Sequence, residues 1–156
     1  MKGYLGRPEE TAAAIVDGWL RTGDLGRLDA EGWLTLVGRK KDLIIRGGEN
    51  IYPVEIENAL LATGIVAEAA VVGRPDAVMG EVPVAFASVA ASRPLADAEA
   101  ALRAAAARTL AGFKRPVAYY FVEGLPRNPI GKIDKPALRA RLAATDGKSS
   151  DRKGAM

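Results

Sequence analysis

Neither cysteine nor histidine occurs anywhere in the chain. That removes disulfides, thiol nucleophiles, Ser–His catalysis and the usual zinc sites together, and no protein-held metal is expected. Long apolar runs are missing too. No stretch reaches the roughly 18 apolar residues that a transmembrane helix needs. The N-terminus, Met1-Lys2-Gly3-Tyr4-Leu5-Gly6-Arg7-Pro8, lacks the apolar segment of a secretion signal. Cytoplasmic residence is the expectation. Aromatic residues make up only 6%, and 22 basic against 19 acidic residues leave a net charge of +3. Nucleic-acid-binding surfaces gather their cations on one face and add aromatics for stacking. Such a partner therefore ranks last.

What the chain does contain is 49% hydrophobic and 26% charged residues over 156 positions, the balance of a globular protein. The length suits one core of ordinary size, or one domain with appendages. Much of the apolar content is alanine, so the core is expected to be modest. No internal repeat is visible.

The stretch that organises the chain runs from Gly38 to Glu57. Four charged residues, Arg39 to Asp42, lead into Leu43-Ile44-Ile45; Gly47-Gly48 breaks the run, and Pro53 opens a helical pattern. Paired glycines let a backbone turn sharply and approach a ligand closely, because no Cβ intervenes. Proline keeps Tyr52 extended and suits the first turn of a helix. Ile56, Ala59 and Leu60 follow at helical spacing. A charged hinge, a short strand, a glycine turn and a helix are the result, although an ordinary β-turn-α corner has the same local pattern.

Elsewhere, residues 8–18 read as a short helix with Gly18 beyond its end, and Trp19-Leu20 and Trp33 to Val37 as strands around a turn at Asp29–Gly32. Asp24 sits where a strand gives way to a turn. Residues 69–73, 82–89 and 117–122 read as strands, with Pro83 implying a late start or a sheet edge. Residues 97–110 form the clearest helix, striped by Leu102, Ala105, Ala106 and Leu110. Pro126 to Lys135 reads as a loop and Pro136 to Leu142 as a terminal helix. Low hydrophobicity and mixed charge after that predict a disordered tail over 144–156. The fold class is α+β: a small C-terminal domain with a three-stranded sheet, flanking helices and a β-hairpin. It is preceded by the end segment of a larger N-terminal domain. The expected boundaries are 1–40, 41–143 and 144–156.

Several residues invite a chemical reading. Lys132 follows Gly131 in a proline-punctuated loop, which sets one mobile point charge on a defined backbone. Such a cation suits an oxyanion and a phosphate approached together, though a solvated loop lysine fits the same pattern. Asp24 can be a turn residue bonding its own backbone, and Arg39 a surface ion-pair residue.

Three segments resemble, in order, the motifs of the adenylate-forming (AMP-binding, acyl-CoA synthetase) superfamily. They are Trp19-Leu20-Arg21-Thr22-Gly23-Asp24, the Gly38–Glu57 stretch, and Pro126-Arg127-Asn128-Pro129-Ile130-Gly131-Lys132-Ile133-Asp134-Lys135. The resemblance covers roughly residues 1–143. The wording Gly-Gly-Glu-Asn-Ile-Tyr-Pro is most like fatty-acyl and aryl CoA ligases. It implies that Lys132 is catalytic, contacting the acyl carboxylate and the α-phosphate of ATP. It also implies that Asp24 and Arg39 bind the ATP or AMP ribose. Lys41 matches a hinge about which a domain rotates between two half-reactions. Gly47, Gly48 and Glu49 would face the CoA thiol arm, with Phe113 and Arg115 touching the CoA nucleotide. The implied substrates are a carboxylic acid, ATP and CoA, with Mg2+ accompanying the nucleotide in the full-length enzyme.

The resembled enzymes carry a much larger N-terminal domain with the acyl pocket and a glycine-rich phosphate loop, and this sequence contains neither. It is therefore expected to be inactive alone, as the C-terminal portion of an acid–thiol ligase. The alternative is a non-catalytic standalone module that docks in trans on an AMP-binding domain. The acyl substrate is not legible.

Overall fold

A computed structural model describes residues 1–89 and 95–150. The chain divides into two compact units, Met1–Lys41 and Asp42–Met156.

The first unit is a set of small hairpins. Helix α1 (Pro8–Ala14) carries Pro8 at its first turn with Glu9 and Glu10 beside it, as the sequence implies. It stops at Ala14 rather than near Gly18, because β1 (Ile15–Val16) pairs with β2 (Trp19–Leu20) across Asp17-Gly18. Both turn residues have positive φ, 52° and 80°, as a tight two-residue hairpin requires. Strands β3 (Asp24–Leu28) and β4 (Leu34–Arg39) form a second antiparallel hairpin. Its turn is closed by the Asp29 carboxylate, which accepts from the N–H groups of Glu31 and Trp33 at 3.1 and 2.8 Å. None of the residues from Met1 to Lys41 is buried.

The second unit holds the core. Strands β5 (Ile44–Arg46) and β6 (Glu49–Ile51) make a hairpin on Gly47-Gly48, and α2 (Pro53–Leu61) follows with Tyr52 extended before Pro53. Strands β7 (Val66–Asp76) and β8 (Gly80–Val89) form a long antiparallel pair, and β9 (Ala118–Phe121) lies parallel to β8. These are the three expected strands, with the β5–β6 hairpin joined to them at Arg46↔Gly80. Helix α3 (Leu95–Thr109) and helix α4 (Lys135–Ser150) complete the unit.

Successive strand residues point to opposite faces, and both faces here are covered. Ala69, Val71, Ala85, Ala87 and Tyr119 pack with Ile56 and Leu60 of α2 and with Leu102, Ala106 and Leu110 of the α3 segment. Ala70, Val72, Val84 and Phe86 pack instead with Leu138 and Leu142 of α4. Double coverage is why these strands read as continuous apolar runs rather than as alternating ones.

Two expectations change. Pro83 is fully buried in β8, between β7 and β9, not at an edge or before a late strand. A strand residue's N–H and C=O face the same neighbour, and Pro83's carbonyl accepts from Val117 N–H at 2.9 Å on the β9 side. The β9 ladder starts only at Val84↔Ala118, so the missing N–H falls where no partner strand yet runs. Helix α4 continues to Ser150, past the expected helix end at Leu142 and into the expected disordered tail. The remainder of that tail, 151–156, lies outside the described residues.

Candidate functional site

In the first unit the β3–β4 register brings two predicted residues together. Asp24 opens β3 rather than ending a strand, and it lies directly across from Arg39, the last residue of β4. Arg39 Nε and Asp24 Oδ1 are 2.9 Å apart, with both side chains partly exposed. Thr22 Oγ1 accepts from the Asp24 N–H at 3.1 Å. Beside the pair, Thr22, Gly23, Arg39, Lys40 and Lys41 line an open concavity whose cations suit an anionic or polyhydroxyl ligand.

Lys41 is exposed in the short 3-10 helix Lys40–Asp42. Its neighbours are each held within their own unit. Lys40 N–H donates to Gly23 O at 2.8 Å, and the Asp42 carboxylate pairs with Arg139 of α4 at 3.1 Å. No contact holds the Lys41 side chain among the described residues.

Lys132 sits in a loop knotted by its own backbone. Asn128 N–H donates to Lys132 O at 2.8 Å, and Asn128 Oδ1 accepts from Lys132 N–H at 2.9 Å and from Ile130 N–H at 3.2 Å. Gly131 turns the chain at φ +80°, and Asp134 N–H closes the loop on Pro126 O at 2.7 Å. Arg127 straps the loop down: Nη1 donates to Gly131 O at 2.7 Å while Nη2 pairs with Glu68 of β7. The Lys132 side chain is exposed, and no acceptor engages its ammonium among the described residues. A fixed backbone thus carries a free cation.

The CoA-facing candidates gather at a different place. Gly47 and Gly48 form the β5–β6 turn at φ +56° and +88°. Gly47 N–H donates to Met79 O at 2.8 Å, and a Cβ on Gly47 would meet Met79 Cε at 2.9 Å, so a side chain there would have to displace the end of Met79 as well as adopt a left-handed backbone. Glu49 pairs across the strands with Arg46. Arg46 Nη1 donates to Phe113 O at 2.7 Å, which brings Phe113 beside this hairpin. Lys114 lies over the Phe113 ring and binds both oxygens of Glu55 at 2.7 and 2.8 Å. Arg115 has an occupation that the sequence did not suggest. Its Nε and Nη2 donate to Leu110 O and Ala107 O at 3.1 and 3.0 Å, satisfying carbonyls at the end of α3.

The two groups lie at opposite ends of the β7–β8 pair. The Lys132 loop is tied to Glu68, whereas the glycine hairpin meets Gly80, the register partner of Asp76. At ~3.3 Å per residue, Glu68 and Asp76 are about 26 Å apart along β7. No group of three or more acidic side chains that could hold a metal occurs among the described residues.

Arg127 and Asn128 stand in the third motif, but the sequence alone assigns them no task. Asn128-Pro129, with Asn128 three residues ahead of Gly131, was the available signal, since asparagine side chains bond their own backbone in turns. Glu68 left no such signal, because its partner is far away in sequence.

Residues 55–132 match the family described as AMP-binding enzyme C-terminal domain. Among curated proteins, the chain is 46% identical over 145 residues to 2-succinylbenzoate–CoA ligase of Geobacillus kaustophilus. That match covers 93% of this chain and 29% of the relative. It is 44% identical over 145 residues to a long-chain-fatty-acid–CoA ligase of Mycobacterium tuberculosis, covering 93% of this chain and 28% of the relative. Among solved structures, o-succinylbenzoate CoA synthetase from Bacillus subtilis, in complex with its acyl-adenylate intermediate, superposes with a TM-score of 0.79. Identity there is 42%, over 91% of this chain and 28% of that one. The chain thus spans less than a third of the length of the relatives it matches.

Proposed function

Because the chain belongs to the AMP-binding enzyme C-terminal domain family, we propose that it is the mobile C-terminal domain of an ATP-dependent acyl-CoA ligase. In the overall reaction a carboxylic acid, ATP and CoA give acyl-CoA, AMP and pyrophosphate. Catalysis takes place against the larger portion of the enzyme that the relatives possess.

In the first half-reaction the carboxylate oxygen attacks the α-phosphorus, and the bond to the pyrophosphate oxygen breaks. Charge accumulates on the equatorial oxygens of the transition state, and the Lys132 ammonium sits between these oxygens and the carboxylate. A cation fixed in advance stabilises that charge without reorganising at the moment of reaction. Asp24 accepts hydrogen bonds from the ribose hydroxyls, and Arg39 holds that carboxylate in place. In the second half-reaction the CoA thiolate attacks the acyl carbonyl and AMP leaves. Gly47 and Gly48 offer the thiol arm a backbone with no side chain in its path, Glu49 and Phe113 flank it, and Arg115 meets the CoA phosphates.

The observation that carries this reading is that the Lys132 loop and the glycine hairpin are tied to opposite ends of β7, at Glu68 and beside Asp76, about 26 Å apart along that strand. Two groups so far apart on one body serve one bound acyl group only in turn. Rotation about Lys41 exchanges them, with Lys40 and Asp42 remaining anchored on either side.

The test joins this chain to an AMP-binding domain and measures the half-reactions separately. Lys132→Ala is expected to lower acid-dependent pyrophosphate release by about 10²–10³-fold. Thioester formation from supplied acyl-adenylate should be spared. Equal loss of both half-reactions would contradict the role assigned.

A second reading rests on the first unit. Leu28, Leu34 and Leu36 are exposed, as are Trp19 and Trp33. A non-catalytic module that docks in trans on an AMP-binding domain through this apolar surface fits that exposure. Capture of such a domain with no gain of activity on any acid would favour it.

A further inference from the structure

The Lys132 loop contains more machinery than its lysine. We propose that Arg127 and Asn128, backed by Glu68, are positioning residues for the first half-reaction. They hold the Lys132 backbone so that its cation arrives at one defined place. The inference rests on the catalytic reading of Lys132.

Three observations point this way. Asn128 engages Lys132 on both sides of its peptide: its N–H donates to Lys132 O, and its Oδ1 accepts Lys132 N–H. The same oxygen also takes Ile130 N–H, so one side chain closes the whole turn around Gly131. Arg127 then ties this closed turn to the sheet, since its fork reaches the Gly131 carbonyl and Glu68 of β7 simultaneously. Only a planar guanidinium presents two such donors in a fixed geometry.

These bonds are more than the loop needs for a turn alone. The backbone bonds Gly131 N–H to Asn128 O and Asp134 N–H to Pro126 O already close it. What the two side chains add is a fixed height and direction for residue 132 relative to β7. A flexible four-carbon stem spreads its charge over a wide volume unless its root is fixed. Misplacement by about 1 Å can cost a reaction about 10²-fold. The Lys132 ammonium itself makes no contact among the described residues, so its root is the only part the fold can position.

The experiment has two arms. In the 156-residue chain, amide hydrogen exchange at Ile130 and Lys132 is followed for wild type, Asn128→Ala and Arg127→Gln. In the same chain joined to an AMP-binding domain, the half-reactions are measured for these variants and for Lys132→Ala. The expected result is lost protection at both amides in Asn128→Ala. Adenylation kcat should fall about 10–100-fold in both loop variants, with little change in KM for ATP and intact thioester formation from supplied acyl-adenylate. Arg127→Lys keeps a charge for Glu68 but cannot fork to Gly131 O, and is expected to restore only part of the rate. A general folding defect would lower both half-reactions and overturn the proposal. So would unchanged adenylation in the loop variants beside an inactive Lys132→Ala, while leaving the role of Lys132 standing. If Lys132→Ala itself adenylates normally, the catalytic reading fails and the positioning role with it.

Discussion

Single residues here can hold a structural contact beside the role proposed for them. Arg115, proposed to meet CoA phosphate, also donates to the carbonyls of Leu110 and Ala107. No acceptor engages the Lys132 ammonium among the described residues. Asp76 shows how a side chain at the end of a strand couples to pH. Its carboxylate accepts from the N–H groups of Met79 and Val78 at 2.9 and 3.0 Å. These bonds favour the charged form and hold its pKa below the usual carboxylate value, with Arg74 and Arg46 adding a smaller pull. Because the folded pKa lies below the unfolded one, the stabilisation is complete above about pH 3.9. It is lost as pH falls through the lower folded value. Asp76→Asn keeps an acceptor but does not titrate. The difference in Tm between wild type and Asp76→Asn is therefore expected to shrink below about pH 4 and to stay constant above it. A difference that holds constant through the acid range would refute this.

At the scale of elements, the parts that were legible in the sequence are those whose pattern is local. Pro53 with Tyr52 before it, and the stripe Leu102, Ala105, Ala106 and Leu110, state their own structure, and all four stripe residues are buried. Strand β3 was not legible. Asp24 reads as a turn residue, and only pairing with β4 makes Asp24–Leu28 a strand. Pro83 misled for the same reason: its place depends on where β9 begins, which no neighbouring residue encodes. For the site, the motif positions were visible, but the Glu68–Arg127 strap joins distant segments and had no local mark. Helix α4 is the element whose removal the fold should feel most, since Leu138 and Leu142 cover one whole face of the sheet. Leu138 is completely buried. Leu138→Ala is expected to cost about 2–5 kcal/mol, read as a lower midpoint in urea with an unchanged slope. A loss below about 0.5 kcal/mol, the range of surface substitutions, would mean that α4 does not cap the core as described.

For the whole molecule, the two units differ in kind. Among the described residues, every buried one lies in Asp42–Met156 and none in Met1–Lys41. A chain of residues 42–150 is therefore expected to melt cooperatively by itself, whereas residues 1–41 alone should show no cooperative transition in calorimetry. A sharp transition in the short piece would refute the division. In the proposed function the two ends of the β7–β8 pair alternate, one serving the first half-reaction and the other the second. The most direct test compares two variants joined to an AMP-binding domain, Lys132→Ala and Gly48→Asn. Asparagine tolerates the left-handed backbone at Gly48, and nothing lies within 4 Å of the Cβ it would add, so the turn survives while bulk enters the thiol path. Opposite losses are expected. Lys132→Ala should fail in pyrophosphate release and keep thioester formation, and Gly48→Asn should do the reverse. Loss of the same half-reaction in both variants would contradict it.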